Sequence, residues 1–369
     1  MISDRAWTRL NLAALCALAL GAVGCAVGAA LDVTGFFRAW LCTFLFWLGV
    51  PLAGTTLVMV HDLSGGEWMQ TARPLLNAAT ATMPLATLAG IPAFIGLHDL
   101  YSWTHPAPDL GNTFYLNSND FLLRYVVYIV LWNLLAAYTL WAPRIGADPI
   151  APGLSWLSGI GLIVLAFSAS FAAIDWIMSL EPAFWSSIFM MTVGASWFNT
   201  GLALVLLVIA LGGLAPDSGR GHMADLAAIL LATTIFWAYV EFIQFLVIWE
   251  ENLKGEIPWY VIRITSAWAP AVYVSAAFGF FVPFFALLTL PGKRNRGVVA
   301  TVCFLILISR IADKWWLVLP EFREAGSFWL YIAAIIALGG LMLLLFFGLL
   351  RSGGVRAIAA IQPWKTKHG

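Results

Sequence analysis

The chain has 369 residues, of which 62% are hydrophobic and only 10% charged, and its formal net charge is zero. A soluble domain carries about 25% charged residues. The composition therefore excludes an ordinary soluble domain, and the absence of a basic excess gives no hint of nucleic-acid binding.

A membrane span needs roughly 20 mostly apolar residues, and lipid admits only helices or closed barrels. The apolar runs are too long and too uniform for barrel strands. They predict an all-α integral membrane protein with about ten transmembrane helices, at approximately 10–30, 38–60, 76–97, 121–141, 156–178, 187–211, 224–249, 267–289, 298–319 and 328–350. The connections are short, so a single polytopic domain is expected over 1–369.

The first span follows Arg5 and Arg9 and runs on past Cys25, so it reads as an uncleaved helix rather than a signal peptide. Gly24-x-x-x-Gly28 within it is a close-packing pattern, one that a chain with 32 glycines also produces by chance. The second span contains Pro51 and ends at His61-Asp62; the third contains Pro84 and Pro92 and ends at His98-Asp99. Adjacent His and Asp do not face one direction on a helix, so both pairs read as loop-edge residues. The connection from His98 to Asp120 is the longest and is rich in Pro, Asn, Asp and aromatic residues.

The fifth span carries the first acid that lipid should exclude. Ser168, Phe171, Asp175 and Ser179 share one face at steps of three, four and seven, and Glu181 follows before Pro182. Ionised groups in hydrocarbon are costly and mark ion or proton routes by default. Asp175 and Glu181 read either as an acidic pair passing protons to or from the outer surface, or as acids holding loop backbone and helix ends.

The seventh span places Glu241 about two turns inside its outer end, with Gln244 and Ile248 on the same face and Glu250 and Glu251 at the rim. Glu241, Gln244 and Glu250 form a candidate proton ladder; the alternative is one neutral Glu bonded to a neighbouring helix. The loop from Trp249 to Ser266 is the most charged of the chain. The eighth span contains Pro270 and Pro283, and the ninth carries Arg310, Asp313 and Lys314. Arg310 and Asp313 can pair at i+3, and Lys314 can snorkel outward. A structural ion pair is the competing reading. Asp175, Glu241 and Arg310 together suggest one hydrated passage in the outer half of the membrane.

Orientation follows from Lys and Arg. With the N-terminus in the cytoplasm, that side receives Arg5, Arg9, Arg73, Arg144, Arg220, Lys293, Arg294, Arg296, Arg351, Arg356, Lys365 and Lys367, and the other side Arg38, Arg124, Lys254, Arg263 and Arg323. Both termini are therefore expected in the cytoplasm. The histidines, His61, His98, His105, His222 and His368, all lie outside span centres, whereas a b-type haem usually takes two His at membrane depth. Cys16, Cys25, Cys42 and Cys303 form no C-x-x-C and read as packing residues. No redox cofactor or metal is expected on this chain.

These residues carry a family resemblance. Phe171 to Phe189, F-A-A-I-D-W-I-M-S-L-E-P-A-F-W-S-S-I-F, resembles the hallmark segment of the F-type membrane subunit of bacterial alternative complex III, a quinol:cytochrome c (or copper protein) oxidoreductase; that subunit is related to the NrfD and polysulfide-reductase membrane subunits. Gly96 to His105, Tyr115 to Asn117, Phe121 to Arg124 and Phe236 to Trp249 agree with the same family, in its order, across roughly 40–320. The resemblance implies two four-helix bundles, spans two to five (about 38–178) and six to nine (about 187–319), flanked by peripheral helices at about 10–30 and 328–350. It implies a multi-pass protein of the bacterial inner membrane, beside a sister NrfD-like membrane subunit, an iron–sulfur subunit and multihaem cytochrome c subunits. In such a complex the haem c and iron–sulfur centres belong to partners, the quinol site is assigned to the sister subunit, and this type of chain has a structural and proton-conducting role. The family acids fall on Asp175 and Glu181. Ala183 stands where a His usually follows the proline, and Ala227-Ala228 where Gly-Lys is usual. Two other functions fit the same fold: a membrane subunit with its own quinone site among the outer-half acids, and a secondary transporter.

Overall fold

A computed structural model describes residues 4–66, 68–69, 71–105, 113–141, 155–212, 222–322 and 326–351. Arg144, Arg220, Arg323, Arg356, Lys365 and Lys367, which carry part of the charge bias, lie outside the described residues. The chain is an all-α integral membrane protein of about ten spans. Nine stretches among the described residues are long and apolar enough to cross a membrane. The tenth is the buried helix that carries Arg310, Asp313 and Lys314.

The long helices are α1 (Asp4–Leu31), α2 (Val33–Ser64), α7 (Ser118–Trp141), α8 (Ser155–Trp176), α9 (Phe189–Gly212), α10 (His222–Glu251), α15 (Arg296–Val318) and α16 (Phe328–Arg351). At 1.5 Å per residue each is long enough for a hydrocarbon core of about 30 Å.

The third span is not one helix. It is divided into α3 (Arg73–Thr80), α4 (Met83–Leu88), α5 (Ile91–Ile95) and α6 (Leu97–Leu100). Each of the first three starts with a proline in its first turn: Pro74, Pro84 and Pro92. Proline lacks an N–H and its ring clashes with the carbonyl one turn back, so Pro84 and Pro92 end the helices before them. Carbonyls around these breaks also take side-chain donors. Thr82 donates to Ala79 O at 2.6 Å, Tyr125 to Thr87 O at 2.5 Å, and the Trp40 indole to Ala89 O at 2.7 Å. Such donors are what permits irregular backbone at membrane depth.

The eighth span is likewise interrupted. It comprises α12 (Pro270–Ala276), a π turn at Ala277–Phe281 that ends before Pro283, and α13 (Val282–Leu288). Two short helices flank it, α11 (Ile257–Thr265) and α14 (Leu290–Arg294).

Helix α2 is buried on nearly every side from Ala39 to Met59. It touches α3 to α8 on one side and α9, α15 and α16 on the other. α9 packs in turn on α10 and α15, and α12 lies against α15. α1 leans on α16, where Gly24 and Gly28 face Ala333 and Leu330. The Gly-x-x-x-Gly pattern is thus used for helix contact. Cys25, Cys42 and Cys303 are buried and Cys16 is exposed, all as free thiols.

Candidate functional site

The buried charges within the spans fall into two clusters with α2 between them. Phe44 of α2 lies against Trp176, next to Asp175, at 5.2 Å between ring centroids. Cys42, two residues back and so on the opposite side of the helix, approaches the Lys314 carbonyl at 3.9 Å. Trp197 of α9 donates to Leu45 O at 2.7 Å and fixes the helix in place.

Asp175 is the centre of the first cluster and has no exposed surface. One carboxylate oxygen accepts from Arg124 Nε at 2.9 Å and from the Tyr128 hydroxyl at 2.7 Å. Arg124 also donates to Tyr115 O at 3.1 Å, and its guanidinium lies 4.0 Å from the centre of the Tyr115 ring. The Ser179 hydroxyl donates to the Asp175 carbonyl, and Trp132 donates at 2.8 Å to Ser168, two turns before Asp175. Ser168, Asp175 and Ser179 are buried together, whereas Phe171 turns outward. Arg124 and Tyr128 are spaced i, i+4 on α7, which brings both to one acid 51 and 47 positions away in sequence.

The second cluster surrounds α15. Asp313 accepts from Lys314 Nζ at 3.0 Å and from Ser196 of α9 at 2.6 Å, and Lys314 also donates to Ser196 at 2.9 Å. Lys314 does not snorkel; it is fully buried. Nor does Arg310 take Asp313 as its ion-pair partner. Its guanidinium stacks 3.6 Å from the centre of the Trp237 ring and donates to Ser309 at 2.9 Å. The nearer ammonium and the Ser196 hydroxyl already occupy the Asp313 carboxylate.

Glu241 points into this cluster. It shares the inward face of α10 with the buried Trp237, Val240 and Gln244. The Thr192 hydroxyl, which donates to Phe189 O at 2.8 Å, lies close to it, and its charged neighbours are Asp313, Arg310 and Lys314. It is half-buried, unlike the α15 groups. One turn on, Gln244 accepts from Ser186 at 3.3 Å and donates to the Tyr260 hydroxyl at 3.4 Å. Glu250 is exposed and stands nine residues from Glu241, half a turn away around the helix. Glu241 and Gln244 therefore belong together, and Glu250 does not complete their ladder.

Glu181 is separated from Asp175 as well. It accepts from Ala183 N at 3.2 Å and lies near the charges of Arg263 and Glu321. Those two form a buried ion pair at 2.6 Å, outside the spans. Arg263 also donates to Leu317 O at 2.8 Å and covers the Trp259 ring at 3.5 Å. Burial lowers the Arg263 pKa to about 10 despite Glu321, and burial holds Glu321 above the usual carboxylate range. At the opposite ends of their spans, Asp62 pairs with Arg73 at 3.0 Å, and the His98 and His105 rings meet at 6.1 Å.

Asp175 and Glu241 thus have separate partners and do not share one passage lined by Arg310. Sequence reading missed Arg124, Tyr128, Ser196, Trp237, Arg263 and Glu321 as cluster members. Arg124 was legible in principle as a cation a turn inside an apolar run. The hydroxyls and indoles carry no comparable signal, because such residues are common in any span.

About ten spans around buried, mostly partnered charges define a multi-pass membrane protein. Comparison with protein-family models and with curated proteins gave no match.

Proposed function

We propose that this chain is an integral membrane subunit of a respiratory quinol:cytochrome c (or copper protein) oxidoreductase of the bacterial inner membrane. Its role there is structural and proton-conducting, with haem c and iron–sulfur centres held by partners and quinol oxidised beside a sister membrane subunit. The motif segments from Gly96 to Trp249 support the family. The observation that carries proton conduction is Glu241, an acid at span depth that is only half-buried and is followed by Gln244, Ser186 and Tyr260. A group exchanging protons needs both contact with water and nearby charge to adjust its affinity. Glu241 has the nearby charge and a partly exposed side chain, whereas Asp175 is fully enclosed and held by Arg124 and Tyr128. Asp175 then serves chiefly to fix α7 on α8.

Affinity purification through this chain is expected to bring down c-type cytochrome and iron–sulfur subunits. Glu241→Gln keeps the shape of the side chain and removes its titrating proton. It is expected to leave the complex assembled and to slow proton translocation at least several-fold. An assembled Glu241→Gln complex translocating at the wild-type rate across pH would refute the proton role, and purification of the chain alone would refute the complex.

A further inference from the structure

Three buried residues on or against α10, within two turns of Glu241, have polar atoms with no partner in the protein: the Thr234 hydroxyl, the Trp237 indole nitrogen, and Nε and Nη1 of Arg310. Leaving a buried donor unsatisfied costs about 1–3 kcal/mol, and more when it is charged. Four such atoms in one neighbourhood call for a bound polar species, and internal water supplies two to four hydrogen bonds in such places.

The arrangement is linear. Thr234, Trp237 and Glu241 lie on one face of α10, each about one turn from the next. Arg310 crosses from α15 onto the Trp237 ring. The other charges facing it are Asp313 and Lys314 on its own helix and Glu241 on α10. The π turn contributes no charge, only Gly279, and α9 contributes the hydroxyls of Thr192 and Ser196.

The seat of Arg310 is specifically shaped. A Cβ at position 279 would fall 2.2 Å from Arg310 Nη2 and 2.3 Å from Ser309 Oγ, so only glycine fits there. Ser309 is itself anchored by donating to Ser275 O at 3.1 Å.

We propose that Thr234, Trp237 and Arg310 hold a short file of water leading along α10 to Glu241, and that Arg310 is a fixed cation in that file which bars hydronium. A guanidinium stays charged at any working pH and has donors only. Water beside it turns its oxygen inward and cannot accept a proton from a neighbour. Arginine excludes protons from water-filled pores by the same means. The inference rests on the proton-conducting reading for its purpose: Glu241 then exchanges protons by way of Gln244, and Arg310 prevents a leak toward Thr234. The hydration and the barrier are separately measurable.

X-ray hydroxyl-radical footprinting of the unaltered full chain tests the water file. Trp237 is expected to oxidise several-fold faster than Trp197, which is similarly buried but whose indole is bonded to Leu45 O. Passive proton leak in vesicles containing the full chain tests the barrier. Arg310→Gln should raise the leak about tenfold, and Arg310→Lys, which keeps the charge, should stay near wild type. Equal labelling of Trp237 and Trp197 overturns the inference, and so does a folded Arg310→Gln chain that leaks no more than wild type. The labelling needs no variant, so a substitution that fails to fold leaves the test standing. Strong Trp237 labelling with a leaky Arg310→Gln chain, alongside a Glu241→Gln complex that translocates normally, would sink the function proposed above and leave this barrier intact.

Discussion

Replacing Asp313 by Asn isolates the energetics of the α15 cluster. The Asp313 carboxylate lies 3.0 Å from Lys314 Nζ, with both groups buried. Two unit charges at that distance attract by about 5–6 kcal/mol at an effective dielectric near 20. Much of this is offset by the cost of bringing both from water, but removing one partner from a buried pair still costs about 3–5 kcal/mol. Asn keeps an acceptor for Lys314 and Ser196, so the lower end applies, about 3 kcal/mol. The variant also leaves Arg310 and Lys314 facing Glu241 without the Asp313 carboxylate, one unit of charge more positive than wild type. Lys314→Met should cost a similar amount by stranding Asp313. The double variant restores the wild-type net charge and should recover to within about 1 kcal/mol of wild type. The measurement is reversible unfolding of the purified chain in bicelles, carried through the full double-mutant cycle. Single-variant costs that simply add in the double variant would show no coupling between Asp313 and Lys314, and the cluster would not be the ion pair described here.

The Arg263–Glu321 pair sets a pH dependence. Burial raises the folded pKa of Glu321 above its ordinary value of 4.5, with Arg263 opposing in part. The folded chain therefore binds that proton more tightly than the unfolded one, and the associated stability is full below pH 4.5 and lost as pH rises through the raised value. Thermal scans from pH 4 to 8 should show this decline in wild type and not in Glu321→Gln. Packing of the outermost helices gives a sharper test. A Cβ on Gly340 would fall 2.4 Å from the Leu18 backbone nitrogen and 2.6 Å from Ala14 O, whereas one on Gly348 meets nothing within 4 Å. Gly340→Ala should destabilise by about 1–3 kcal/mol as α1 is pushed from α16. Gly348→Ala should be neutral or stabilising by about 0.5–1 kcal/mol, because alanine is the better helix former.

The sequence by itself determined the number and placement of the spans. Satisfying the backbone in lipid favours helices within apolar runs, and that requirement is met mostly locally, residue by residue. It also singled out Asp175, Glu241 and Arg310, because a charge in an apolar run is conspicuous without knowledge of its neighbours. Which partner each charge takes was decided only by the tertiary structure. Arg124 reaches Asp175 across 51 positions, Trp237 captures Arg310 from another helix, and Lys314 takes the adjacent Asp313 because Ser196 of α9 closes the site around both. The breaks in the third span were half legible, since its prolines forbid a straight helix. That the break is tolerated depends on Trp40 and Tyr125, donors from two other helices. The separation of Asp175 from Glu241 had no local sign at all. It follows from the burial of α2 on nearly every side, which places an entire apolar helix between two clusters that look alike in the sequence.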